Sequence, residues 1–140
     1  VKPKLNKARE GEYILYDEAV AGKAEPRWFS PAYWRESDQL IGEAGGRGSS
    51  LIFRVEDKKW VLREYRRGGL RAKLGATGYW WNGLEESRPW REWHLLASMV
   101  AQGLPVPRPV AAQLVKNGLL YRAAIITEYI DGSEPLSHRL

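Results

Sequence analysis

The stretch LIGEAGGRGSSLIF, Leu40–Phe53, limits the folds open to this chain more than any other feature. Two apolar runs that read as strands flank the loop Gly45–Ser50, which holds three glycines, Arg47 and two serines. A tight hairpin needs only about two to five turn residues. This loop is longer than a turn requires, so its glycines answer to another demand. SLIFRVED (50–57) leaves the loop, DKK (57–59) reads as a turn, and KWVLREY (59–65) as the next strand. Three strands in sequence form an antiparallel meander.

Upstream, EYILYD (12–17) reads as another short strand, residues 1–11 as a loose basic segment, and 19–26 as a loop. SPAYWRE (30–36) carries a helix start, with Ser30 as N-cap and Pro31 at the first position. Residues 66–88 read mostly as loop, with room for a short helix around Leu70–Leu74. A longer helix is predicted near Pro89–Gln102, where Trp93, Leu96, Ala97 and Val100 recur at helical spacing and Gly103 can cap the end. The alternating prolines of LPVPRPV (104–110) force an extended path. VAAQLV (110–115) and LLYRAAIITEYI (119–130) read as strands joined by a KNG turn, and 131–140 as a linker and a helix start. With 140 residues and no repeat, this order describes one α+β domain.

Composition narrows the chemistry. The net charge of +5 favours anionic partners: nucleic acid, nucleotide phosphates or acidic lipid. There is no cysteine, which excludes disulfides and thiolate metal sites and fits a reducing compartment. Two histidines, His94 and His138, are too few for a histidine-rich metal site. No apolar run is long enough to span a bilayer, and the charged N-terminal stretch lacks the apolar core of a signal peptide. Seven tryptophans are many for this length, and some are expected at a surface.

A glycine loop between antiparallel strands can lay bare backbone N–H groups against phosphates, because glycine has no side chain to hold the ligand off. A cation on the third strand could reach the same phosphates, and Arg63 is placed for it. A carboxylate on the following helix could fix that cation, and Glu92 is the candidate. Taken alone, the loop also reads as a mobile hairpin tip, and Arg63 and Glu92 as solvated surface charges.

The motifs GGRGSS, WVLREYRRGGLRAKLG, REWHLLASMVAQGLPVPRPVAA and GLLYRAAIITEYIDG, spread over residues 30–135, resemble the N-terminal lobe of protein-kinase-like folds. Within them the pattern is similar to the Kdo (3-deoxy-D-manno-octulosonic acid) kinases of the lipopolysaccharide kinase group. The resemblance implies an α+β lobe with a five-stranded antiparallel sheet, one main helix and an additional N-terminal strand and helix. It implies ATP and Mg2+ as cofactors, with Gly45, Gly46, Arg47, Gly48, Ser49 and Ser50 over the phosphates. Arg63 stands where kinases usually carry lysine, a departure because arginine is a wider, always charged fork. Lys73, ten residues on, is the alternative cation. Glu92 is the implied helix partner, and backbone groups of Glu128 and Ile130 in TEYI (127–130) the implied adenine contacts. The third glycine of G-x-G-x-x-G, counted from Gly46 and Gly48, is replaced by Leu51.

In this fold the catalytic aspartate and the metal ligands follow the hinge. They are therefore expected beyond Leu140, with no catalytic residue and no metal ligand assigned within the chain. The resemblance thus implies the nucleotide-binding half of a kinase, inactive without a C-terminal lobe. The implied acceptor is a Kdo-bearing lipid A precursor, and the implied location is cytoplasmic, peripheral on the inner face of the bacterial inner membrane. RRGGLRAKLGATGYWW (66–81) suits an anionic membrane surface, with Arg66, Arg67 and Arg71 for lipid phosphates and Tyr79, Trp80 and Trp81 for the headgroup region. The same segment also reads as a structural loop that packs its aromatics on the lobe. Two other functions stay open: an RGG-type module that stacks single-stranded bases, and a non-catalytic pseudokinase-like scaffold. Nucleic acid is not the expected partner, because GGRG and RRGG are not a repeat and both sit among well-patterned strands. His94, Trp90 and Trp93 are expected to be ordinary surface or packing residues.

Overall fold

A computed structural model describes residues 3–9, 11–21, 24–44, 50–65, 79–80, 83–118 and 120–129. The strands are β1 (Pro3–Arg9), β2 (Glu12–Asp17), β3 (Leu40–Ala44), β4 (Ser50–Val55), β5 (Lys58–Glu64), β6 (Tyr79–Trp80), β7 (Pro109–Asn117) and β8 (Leu120–Glu128). The helices are α1 (Glu18–Ala21), α2 (Pro31–Glu36) and α3 (Arg88–Ala101), with 3-10 turns at Pro26–Phe29 and Leu84–Glu86. All strands join one sheet in the order β1-β2-β7-β8-β5-β4-β3, and β6 pairs with β8. Every pairing is antiparallel.

The meander β3-β4-β5 and the hairpin β7-β8 follow the sequence expectation. The strand count does not: the sheet holds eight described strands rather than five with one addition. The largest difference is β1. Residues 1–11 were expected to be loose, yet Pro3–Arg9 pairs with β2. Its lysines hid the strand. They are tolerated because β1 is an edge, where exposed lysine also discourages pairing with other chains. The turn after β4 falls one residue earlier than expected, at Glu56–Asp57, with Glu56 at φ +58.

The sheet is covered on both sides. On one side, Leu51, Phe53, Trp60, Leu62 and Ile126 meet a layer built from the first 3-10 turn and α2. Trp34 fills that layer, stacked on Phe53 with ring centroids 3.7 Å apart. Its indole N–H donates to the Trp28 carbonyl at 2.6 Å. Ser30 caps α2 as expected, accepting from the Tyr33 N–H. On the other side, Leu15, Leu114, Tyr121 and Ile125 lie against Trp90 and Trp93 of α3. Of the five described indoles four are buried and Trp28 is half-buried, while the side chains of Trp80 and Trp81 lie outside the described residues. The two sheet faces need large apolar volume, and tryptophan supplies it.

One end of α3 is held by a distant strand and the other by its own last turn. The Tyr121 hydroxyl accepts from the Arg88 N–H at 3.0 Å, serving one of the donors a helix start leaves unpaired. At the other end Gly103 takes φ +80, and the Gly103 and Leu104 N–H groups return to the Val100 and Met99 carbonyls. This is the Schellman arrangement that glycine permits.

Candidate functional site

Residues paired across a sheet share a face. On the face that carries α3, one row runs through Gly42, Ile52, Val61 and Thr127. The next row runs through Ala44, Ser50, Arg63 and Ile125. The helix α3 packs over β7 and β8. Over β3, β4 and β5 this face carries no helix among the described residues, and Ile52 and Val61 are only half-buried. A Cβ built on Gly42 would meet nothing within 4 Å among the described residues, while Thr127 at the far end of the row is buried.

The second row places the glycine loop. Ala44 ends β3, Ser50 opens β4, and the two are paired. Ser50 in turn pairs with Arg63. The loop therefore leaves and re-enters the sheet in the row of the Arg63 cation. Gly45, Gly46, Arg47, Gly48 and Ser49 themselves lie outside the described residues, as do Arg66, Arg67, Arg71, Lys73, Trp81 and Ile130, and the side chain of Trp80 is not described either.

Arg63 and Glu92, 29 residues apart, meet. Arg63 Nη2 donates to Glu92 Oε2 across the gap between β5 and α3. The burial of Trp93 fixes how α3 lies on the sheet and so turns its neighbour Glu92 toward β5. The arginine side chain is 43% exposed and the glutamate 26% exposed, so the pair sits at the rim of the open face.

A third member escaped the sequence reading. Tyr65 Oη donates to the other carboxylate oxygen, Glu92 Oε1. Burial, then the hydrogen bond to Glu92, pushes the Tyr65 phenol well above the usual tyrosine range. A signal for it existed: in REY, Tyr65 stands two residues after Arg63, and alternation along a strand puts both on one face.

At the end of β8 the Glu128 N–H donates to the Arg108 carbonyl at 2.9 Å, and the Tyr129 N–H to the Lys59 carbonyl at 2.8 Å. The Glu128 N–H is therefore already paired and does not serve a ligand. His94 is exposed on α3. Among the described residues, no group of three or more His, Cys, Asp or Glu gathers as a metal site. No described helix is long and apolar enough to cross a membrane.

Sequence reading also missed a buried ion pair. Asp17 is fully buried and takes Arg108 Nε and Nη2 at 3.2 and 2.9 Å on one oxygen. The other oxygen accepts from the Ala19 N–H at 3.2 Å. The pair ties the N-terminal strands to the proline-rich segment that follows α3.

Comparison with known proteins bears on what this arrangement serves. The family model described as "Lipopolysaccharide kinase (Kdo/WaaP) family" matches residues 31–140. A 3-deoxy-D-manno-octulosonic acid kinase of Stenotrophomonas maltophilia is 41% identical over 138 residues, 96% of this chain and 55% of the relative. Proteins of the same description from Vibrio cholerae and Xylella fastidiosa are 35% identical over 123 residues and 41% over 129. These cover 88% and 92% of this chain, and 52% and 51% of the relatives. The chain thus spans about half the length of the curated relatives it matches. No solved structure matches it.

Proposed function

Because the chain belongs to the lipopolysaccharide kinase (Kdo/WaaP) family, we propose that it forms the nucleotide-binding lobe of a kinase-like protein. The longer protein would transfer the γ-phosphoryl of ATP to a hydroxyl of Kdo on a lipid A precursor. The observation that carries this reading is the Arg63–Glu92 pair, held between β5 and α3 beside an apolar row. Ile52 and Val61 offer a half-buried apolar strip, with room at Gly42 among the described residues, which suits an aromatic base. Arg63 stands one row away, next to the anchors of the glycine loop, which suits the phosphates.

Within this lobe the chain's own groups bind and orient. Apolar contact holds the base, the Glu128 carbonyl accepts from its edge, and Arg63 neutralises phosphate charge. Lys73 is a second candidate for that charge. Mg2+ would enter with the nucleotide, on its phosphates and on carboxylates that the resemblance puts after residue 140.

Calorimetric titration of the chain tests the nucleotide reading. Mg·ATP is expected to bind at least about tenfold tighter than adenosine, and Arg63→Ala to remove most of that difference, since a charge-assisted contact is worth roughly 1.5–3 kcal/mol. Absence of ATP binding, or equal affinity for single-stranded RNA with no competition by ATP, would sink it. Placement on an anionic membrane surface rests on the basic segment 66–73. Reversing Arg66, Arg67 and Arg71 together should abolish binding to vesicles containing phosphatidylglycerol; unchanged binding refutes that placement.

A further inference from the structure

The segment between α3 and β7 is tied to the strands at one residue. Pro105, Pro107 and Pro109 have no backbone donor, and the Leu104 and Val106 N–H groups turn back to the Met99 and Leu104 carbonyls. Among the described residues, the hydrogen bonds from residues 104–108 to the strands are all made by Arg108. Its carbonyl accepts from the Glu128 N–H at 2.9 Å, and its guanidinium donates to Asp17. Arg108 therefore joins the last residue of β2 to the last residue of β8. Pro109, which follows it, confines its ψ to the extended range. With the side chain held by Asp17, the direction of the carbonyl is then fixed. Glu128 follows Thr127, which ends the row of Gly42, Ile52 and Val61 and pairs with Pro109 on its other side. A buried ion pair adds little net stability over well-packed apolar residues of the same volume. Its sharper effect is geometric, and the geometry set here is that of the β8 end.

We infer that Asp17 is a positioning residue for the base end of the candidate site: by holding Arg108, it fixes where β8 ends beside Thr127. This inference rests on the nucleotide reading above and deepens it. Asp17 touches no ligand and acts through Arg108 alone. A β8 end left free would have to be ordered when a base binds, at a cost in affinity. The phosphate end, at Arg63 on β5, is not reached by this route. The two ends of a nucleotide should therefore respond differently to loss of the pair.

Titration of the chain with Mg·ATP and with Mg·tripolyphosphate reads that difference. Asp17→Asn keeps the side-chain shape and strands no buried charge, because the Arg108 side chain is 35% exposed and can turn to water. It is expected to weaken Mg·ATP about three- to fivefold and to change tripolyphosphate affinity by less than about twofold. In an Arg108→Ala background the same change should alter Mg·ATP affinity by less than about twofold, since the link it acts through is gone. Equal loss of both ligands overturns the inference, because Asp17 would then be supporting the whole fold; no loss of either overturns it too. Amide hydrogen exchange gives a reading without ligand. The Glu128 N–H should exchange about tenfold faster in Asp17→Asn, measured against the Tyr129 N–H, which donates to the Lys59 carbonyl at 2.8 Å. An unchanged ratio refutes the link. If the unaltered chain binds Mg·ATP no tighter than tripolyphosphate, the nucleotide reading fails and takes this inference with it. If it binds Mg·ATP tighter and Asp17→Asn spares that margin, the reading stands and the inference alone falls.

Discussion

Replacing Arg108 with alanine should cost far more than a surface substitution, and the structure sets the scale. Asp17 has no exposed surface, and Arg108 supplies two of its three hydrogen bonds. Arg108→Ala leaves a buried carboxylate with one backbone donor at 3.2 Å. Stranding one partner of a buried pair costs about 3–5 kcal/mol. The lower end applies here, because the Arg108 side chain is 35% exposed and water can enter where it stood. A loss of about 3 kcal/mol lowers the melting temperature of a domain this size by about 10 °C. Urea unfolding followed by tryptophan fluorescence reads it directly. Adding Asp17→Asn removes the stranded charge and should recover about half of the loss, since a neutral amide is far cheaper to bury unpaired than a carboxylate. A loss below about 1 kcal/mol in the single variant would show that the pair carries no net weight. No recovery in the double variant would show that the cost is lost packing of the arginine stem and not charge.

Two further outcomes follow from backbone geometry and from ionisation. Gly11 takes φ +80, and a Cβ there would lie 2.8 Å from the Lys116 carbonyl oxygen, whereas at Gly118, φ +66, it would meet nothing within 4 Å. Gly11→Ala should therefore cost about 2–3 kcal/mol in urea unfolding and Gly118→Ala only about 1 kcal/mol, the left-handed strain alone; equal costs would refute the contact. The Tyr65 phenol is shifted upward on folding, first by burial and then by its hydrogen bond to Glu92. Its contribution to stability is complete below the unfolded tyrosine value near about pH 10 and is lost as pH rises above it. The wild type should therefore lose stability more steeply than Tyr65→Phe above about pH 10, and parallel curves would contradict the shift.

How much of this was legible depended on how local the cause was. The meander β3-β4-β5, the cap at Ser30 and the end of α3 at Gly103 rest on period, turn chemistry and short-range hydrogen bonds, and all of these are written within a few residues. The meeting of Arg63 and Glu92 was legible only because a resemblance supplied the pairing; spacing along the chain says nothing of a helix 29 residues away. β1 was not legible, because an edge strand is selected for exposed lysine and so loses the apolar alternation by which strands are read. The Asp17–Arg108 pair was beyond reach for another reason. Its partners are 91 residues apart, and they meet only because β2 inserts beside β7. That insertion carries a consequence for the candidate site. β2 and β1 extend the sheet on the side away from β3, so they bury β7 without touching the row of Gly42, Ile52 and Val61. The N-terminal strands, the tryptophan layer and the buried ion pair all stiffen the sheet and the segment leading out of α3. On the face that carries α3, the part over β3, β4 and β5 is left without a helix among the described residues, and Arg63 belongs to that part. The half-buried Ile52 and Val61 lie there beside Arg63, whose guanidinium Glu92 holds at the rim, and this juxtaposition is what favours the proposed ligand, a flat apolar group that carries negative charge at one end.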